Sequence, residues 1–210
     1  MARNTDPSCR LCRRVGEKLF LKGPRCLGPK CAVDKRGTPP GMHTLRKRKR
    51  KLSDRGLQLR EKQKARYIYE VLERQFRRFF EQASKASGAT GETLLQLLEQ
   101  RLDSVVYRLG FADSRPQARQ MVHHGHIKVN GRRVDVPSYL VEIGDVVSFW
   151  EASHDTAFYK ALKGNPPSRT IPAWLTLDGE KLEGRVLAMP SRTDIEISIN
   201  EKAIVEYYAR

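Results

Sequence analysis

Apolar residues in this chain keep two spacings, and each predicts a different element. Leu94, Leu98, Leu102, Val105 and Leu109 recur every three or four positions, which places them on one face of a helix. Gly110 is expected to stop that helix, because a left-handed C-terminal residue costs glycine no steric strain. A second helix is predicted at DSRPQAR, with Asp113 or Ser114 as cap and Pro116 in the first turn, ending at His123 or His124 before Gly125. Ile127-Lys128-Val129 and Arg133-Val134 then flank Asn130-Gly131, the strongest short signal for a type I′ hairpin.

Upstream, Ser53 or Asp54 caps one long predicted helix reaching Lys85, with Ile68, Leu72, Phe76, Phe79 and Ala83 in helical register. Tyr67, Phe76, Phe79 and Phe80 have faces that suit base stacking, but their spacing favours a place in the core. SGATGE breaks the helix. Downstream, His154 to Leu162 reads as a short helix or loop, and GNPPSRTIP as a breaker. Trp174 to Leu177 and Arg185 to Ala188 alternate like strands, IEISI is a further short strand, and Asn200 caps a final helix. The expected fold class is α+β. A basic arm occupies 1–52. A long helix over 53–93 packs with 151–210 into a mainly helical first domain, and 94–150 form a small module of two helices and a hairpin-containing sheet.

Charge sharpens the picture. The formal net charge is +16, with 39% hydrophobic residues. Residues 1–52 carry 16 Lys/Arg against 3 Asp/Glu, whereas residues 151–210 carry 8 against 9. An excess concentrated at one end points to a polyanion, with a membrane surface the weaker inference. There is no run of some 18 apolar residues, and MARNTDPSCR has no apolar core of a secretory signal, so a soluble, intracellular protein is expected. Six consecutive basic residues, Arg46, Lys47, Arg48, Lys49, Arg50 and Lys51, read as a phosphate clamp in preference to a merely solvated patch. Arg60 and Lys64 extend this charge onto the long helix. In the module, Arg101, Arg108, Arg115, Arg119, Gln120, His123, Lys128, Asn130, Arg132 and Arg133 are candidate RNA contacts, since guanidinium groups on a rigid face make forked bonds to phosphate. Ordinary solvated arginines are the plainer alternative.

All four cysteines lie in the first 31 residues, as Cys9-x2-Cys12, thirteen residues, then Cys26-x4-Cys31. In a reducing compartment, close pairs on a short Gly/Pro-rich loop favour metal over disulfide. A two-residue gap lets both sulfurs of a knuckle reach one tetrahedral ion. Arg10, Arg13, Arg14, Arg25 and Lys30 are expected to lower the thiol pKa values. One structural Zn2+ is the favoured occupant. An iron–sulfur cluster uses the same ligands, and spacing does not separate the two. Residues 1–45 are too polar to bury much surface, and a closed thiolate site would supply the missing ordering energy while leaving no position for a substrate.

Catalysis has no foothold here. His43, His123, His124, His126 and His154 have no clustered Ser, Asp or Glu partner, and no Gly-rich phosphate loop, HExxH or GxSxG motif occurs. The chain is expected not to be an enzyme and to have no small-molecule substrate.

The string RLDSVVYRLGFADSRPQARQMVHHGHIKVNGRRVDVPSYLVEIGDVVSF resembles the RNA-binding module named after ribosomal protein S-four, which also recurs in RNA-modifying enzymes and tRNA synthetases. With the cysteine set, PPGMHTLRKRKRKLSDRGLQLREKQKARYIYEVLERQF and the ending INEKAIVEYYAR, nearly the whole chain is similar to the bacterial ribosomal protein S-four family, in its cysteine-bearing, zinc-type subset. The resemblance implies a cytoplasmic, ribosomal location and early binding to a multi-helix junction in the 5′ domain of 16S rRNA, where the protein nucleates small-subunit assembly. It also implies a place near the mRNA entry beside ribosomal proteins S-three and S-five, with Arg46 to Lys49 facing mRNA and contributing to translational accuracy. Two lobes joined at Gly88 to Thr93 would hold separate rRNA helices. The alternative is a free-standing RNA-modification or quality-control factor using the same module. A zinc-finger DNA regulator is weaker, because the cysteine arm lacks a helical reader of the expected length.

Overall fold

Three short helices open the described part of the chain in a computed structural model covering residues 6–41, 52–165, 169–195 and 198–209. They are α1 (Ser8–Val15), α2 (Pro24–Leu27) and α3 (Ala32–Lys35). Leu11, Val15, Leu19 and Leu21 are buried with Cys12, Cys26 and Cys31, so this segment has a small apolar centre of its own. The six-residue basic run lies outside the described residues.

The single long helix expected from Ser53 is two helices, α4 (Asp54–Ile68) and α5 (Glu73–Lys85). Ser53 does cap the first, its hydroxyl accepting from the Gly56 N–H at 3.2 Å. The break is a Schellman-type end. Glu70 turns left-handed at φ 51°, and the Val71 N–H reaches back to the Arg66 carbonyl at 3.1 Å. Glycine usually marks such an end, and a glutamate there leaves no signal in the sequence.

Helix α6 (Thr90–Glu99) contains the division between two units. The described residues up to Leu94 and 198–209 form one unit; those from Leu95 to 195 form the other. In the first, α10 (Glu201–Tyr208) lies against α4: Gln58 donates to Glu206 at 2.9 Å and Arg55 to the Tyr207 carbonyl at 2.7 Å. The Asn200 side chain accepts from the Ala203 N–H at 3.2 Å, the cap read in the sequence. Phe76 is fully buried, and Phe80 stacks on Tyr208 with centroids 4.5 Å apart, so these two rings serve the interior rather than bases.

In the second unit the helix expected from Leu94 to Leu109 is interrupted at Arg101, and α7 (Leu102–Arg108) follows. There the backbone is extended and bridges to Leu140, with flanking bonds from Leu102 N–H to Tyr139 O and from Val141 N–H to Gln100 O. Tertiary pairing overrides an uninterrupted helical pattern. Helix α8 (Arg115–His123) begins after Ser114, which makes no side-chain cap bond. The hairpin β1 (Ile127–Val129)–β2 (Arg132–Arg133) turns through Asn130 at φ 49° and Gly131 at φ 76°, the type I′ signature.

The remaining strands are β3 (Val146–Phe149), β4 (Leu175–Asp178) and β5 (Glu183–Val186), with α9 (Ala157–Gly164) between β3 and β4. All pairings are antiparallel, in the order β2-β1-β3-β5-β4. This corrects the expectation that all of 151–210 joins the first domain, because β5 pairs directly with β3, opposing Val147 with Gly184. The physical reason is that β3 would be an open edge without β5, and the apolar side chains of Leu175, Leu182 and Val186 complete the core of Val105, Leu109, Val122, Ile127 and Phe149. The described part of IEISI carries no strand.

Candidate nucleic-acid interface

Four of the arginines expected to meet phosphate are committed inside the second unit, which corrects that part of the sequence reading. Arg101 is fully buried and forks onto Asp103 through Nε at 3.0 Å and Nη2 at 2.6 Å; Arg119 reaches the same carboxylate at 3.0 Å. Glu99 accepts a second fork from Arg108, both bonds 2.8 Å, and a bond from Arg115 at 3.1 Å. Buried guanidinium groups need paired carboxylates because the desolvation of an unmatched charge is large. These two triads bind α6, α7 and α8 together, so in the folded chain these guanidinium groups brace the second unit.

Three further candidate positions also make bonds within the protein. Lys64 is buried, pairing with Glu17 at 2.5 Å and donating to Ser198 at 3.2 Å, and Arg60 bonds the Val15 carbonyl. Both link α4 to the cysteine segment. Asn130 donates to Asp145 at 2.7 Å and accepts from the Val146 N–H at 2.9 Å, which ties the hairpin turn to the start of β3.

What remains exposed gathers on one part of the second unit. Gln120 and His123 stand on α8, and Arg132 and Arg133 on β2. Arg133 is partly occupied: Nε donates to the Gly125 carbonyl at 3.1 Å and Nη2 to the His124 carbonyl at 3.3 Å. Lys128, beside them on β1, pairs with Glu151. Rigidly hung cationic and amide groups of this kind suit a polyphosphate chain.

Beside them is a cavity of about 260 Å³ that sequence reasoning missed, lined by residues of α8, His126, Phe149, Ser153, Thr156 and Phe158. The buried Ser153 hydroxyl lies 2.9 Å from His126 Nδ1. Burial, with the nearby His124 and Arg133 charges, holds His126 below its ordinary value of 6.5, so its ring is neutral at pH 7. The sign follows from linkage. The unfolded chain takes up this proton first, so the stability of the second unit should be complete above about pH 6.5 and decline below it. Thermal unfolding of the chain across an acid titration checks this, and His126→Gln should flatten the decline.

The four cysteines line one small cavity, with Lys18, Lys22 and Arg25 around it. The Lys22 N–H points at Cys26 Sγ at 3.3 Å. Burial pushes the Cys12 thiol up, against a hydrogen bond from the Leu19 backbone, and charge on the other three cysteines pushes the same way. The expected lowering by neighbouring cations is therefore not met at Cys12, where burial is the largest influence. As they stand, no group of three or more His, Cys, Asp or Glu among the described residues is arranged to hold a metal ion. No helix of the described residues is long and apolar enough to cross a membrane.

Comparison with known proteins bears on both units. Residues 3–99 match the ribosomal protein S4/S9 N-terminal domain family, and residues 100–147 match the S4 domain family. Over the full length of both chains, the sequence is 58% identical to small ribosomal subunit protein uS4A of Alkaliphilus metalliredigens. It is likewise 56% identical to small ribosomal subunit protein uS4 of Acetivibrio thermocellus and to uS4A of Symbiobacterium thermophilum.

Proposed function

We propose that this chain, which belongs to the bacterial uS4 family of small ribosomal subunit proteins, is a structural and non-enzymatic constituent of the cytoplasmic small subunit that binds 16S rRNA. The observation that carries this reading is 56–58% identity to uS4 proteins over the full length, with an S4 module whose exposed donors sit on a frame fixed by buried ion pairs. Such a frame can hold the angle between RNA helices, because phosphates and 2′-hydroxyls converge at a junction and are read by shape. The junction lies in the 5′ domain, and binding there nucleates assembly of the subunit body. In this reading mRNA near its entry is the partner of Arg46, Lys47, Arg48 and Lys49, with ribosomal proteins S-three and S-five as neighbours. The test is a gel shift of the full chain with a 5′-domain transcript over a salt series. Log affinity should fall linearly with log salt. Failure to bind in moderate salt, or failure to sediment with small subunits, overturns the reading.

Cys9, Cys12, Cys26 and Cys31 form the metal site in this proposal. Their shared cavity, the N–H aimed at Cys26 sulfur and the all-sulfur donor set fit zinc better than a hard cation. The ion would close the arm and take no part in chemistry; an iron–sulfur cluster is the less favoured occupant. One zinc per chain is expected by elemental analysis of purified protein. Cys26→Ser should release it and open residues 8–35 to protease while the second unit keeps its melting temperature. Metal-free native protein would refute the assignment.

A further inference from the structure

On α8 and its cap, Gln117, Gln120, Met121 and His124 fall at i, i+3, i+4 and i+7, one stripe of a helix. That stripe is one wall of the 260 Å³ cavity in the second unit. Phe149 and Phe158 supply flat apolar surface to the same cavity, and the neutral His126, hydrogen-bonded to Ser153, supplies a polar edge. Phe158 remains 38% exposed in the first turn of α9, an aromatic ring that the core does not cover.

The chemistry of this lining selects its occupant. Of the described residues that line the cavity, none is Asp, Glu, Lys or Arg, so no carboxylate, ammonium or guanidinium group there calls for a charged occupant. Two side-chain amides offer donors and acceptors together, as the edge of a heterocycle requires. The volume falls just below the roughly 300–1,000 Å³ of pockets that take drug-sized ligands, which suits a single ring system. Positive charge is held at the border, where Arg133 bonds the carbonyl of His124 itself. Apolar walls, an amide edge and a cationic border together match a nucleotide: base inside, phosphate outside.

We infer that this cavity receives one unstacked nucleobase of the bound RNA, stacked on Phe158 and read along its edge by Gln117 and Gln120. The inference rests on the rRNA-binding reading above and adds the kind of group that enters the second unit. Single-stranded or bulged bases are splayed onto aromatic side chains in just this manner in other RNA-binding modules.

The experiment uses the full chain bound to a 5′-domain transcript substituted with 4-thiouridine or, separately, 6-thioguanosine, irradiated to form zero-length crosslinks. Crosslinks are expected in peptides spanning 117–126 and 149–158. Phe158→Ala, an exposed position, should weaken RNA binding on the order of tenfold, the lower part of the range for one stacked base, and remove those crosslinks. Phe158→Trp should restore both. RNA binding at full strength with crosslinks only elsewhere, and no effect of Phe158→Ala, overturns the base site and leaves the rRNA reading intact. A chain that ignores the transcript overturns both. Crosslinking of the same peptides to another protein in assembled subunits, with no RNA adduct, makes the cavity a protein contact and also overturns the inference.

Discussion

Asp103→Ala should destabilise the second unit by about 3–5 kcal/mol, because it strands two buried guanidinium groups at once. Arg101 is fully buried and Arg119 is 5% exposed, and both make charge-assisted bonds to that carboxylate. Against a typical domain stability of roughly 5–15 kcal/mol, the loss is enough to unfold a marginal module. Both tryptophans, Trp150 and Trp174, lie in the second unit, so urea unfolding followed by their fluorescence reports on it alone. The cost comes from the unmatched charges and not from a missing contact. Converting Asp103, Arg101 and Arg119 together to apolar residues should therefore be milder than the single change. A single variant with a wild-type midpoint would mean that the triad adds nothing to stability.

Gly184→Ala is the second large effect. A Cβ at Gly184 would stand 2.3 and 2.4 Å from the two Cδ atoms of the fully buried Leu109. Gly184 sits on β5, paired with Val147 on one side and Leu177 on the other, so the strand has little room to retreat. Overpacking of this kind costs about 1–3 kcal/mol and sometimes more. Leu109→Ala alone removes core volume and costs about 2–5 kcal/mol. Combined, the two should cost less than their sum, since the new methyl group enters the space that leucine vacates. Strict additivity in the same fluorescence assay would show that Leu109 is not what the methyl group meets.

Much of the second unit was legible because its signals are local. Asn130-Gly131 specified a hairpin, and Gly125 at φ 73° ends α8 where the glycine stands. The breaks at Glu70 and Arg101 were not legible: one uses a left-handed glutamate, the other a bridge to Leu140, far along the chain. The error over the arginines is more instructive. Arg101 and Arg108 stand seven and fourteen residues after Leu94, on the same helical stripe as Leu98, Leu102, Val105 and Leu109. That register already places them facing inward, with Glu99 and Asp103 close by as partners. A count of positive charge does not distinguish a guanidinium that braces a fold from one that faces a polyanion; periodicity does. The cavity beside α8 had no such signal, because Ser153 and Phe158 reach it from a separate segment after β3.

The two units differ in how the chain supplies them. The second is one uninterrupted stretch, whereas the first needs α10, whose residues lie more than a hundred positions after those of α4. A nascent chain leaving the exit tunnel can therefore finish its downstream lobe while the upstream lobe still waits for its last helix, reversing the usual N-terminal-first order of domain folding. Protease challenge of stalled chains of increasing length should show residues 95–195 resistant first and α4 resistant only after residue 208 has emerged. Until then α4 has no α10 to lie against, and the side chains of Arg55 and Gln58 have yet to meet Tyr207 and Glu206.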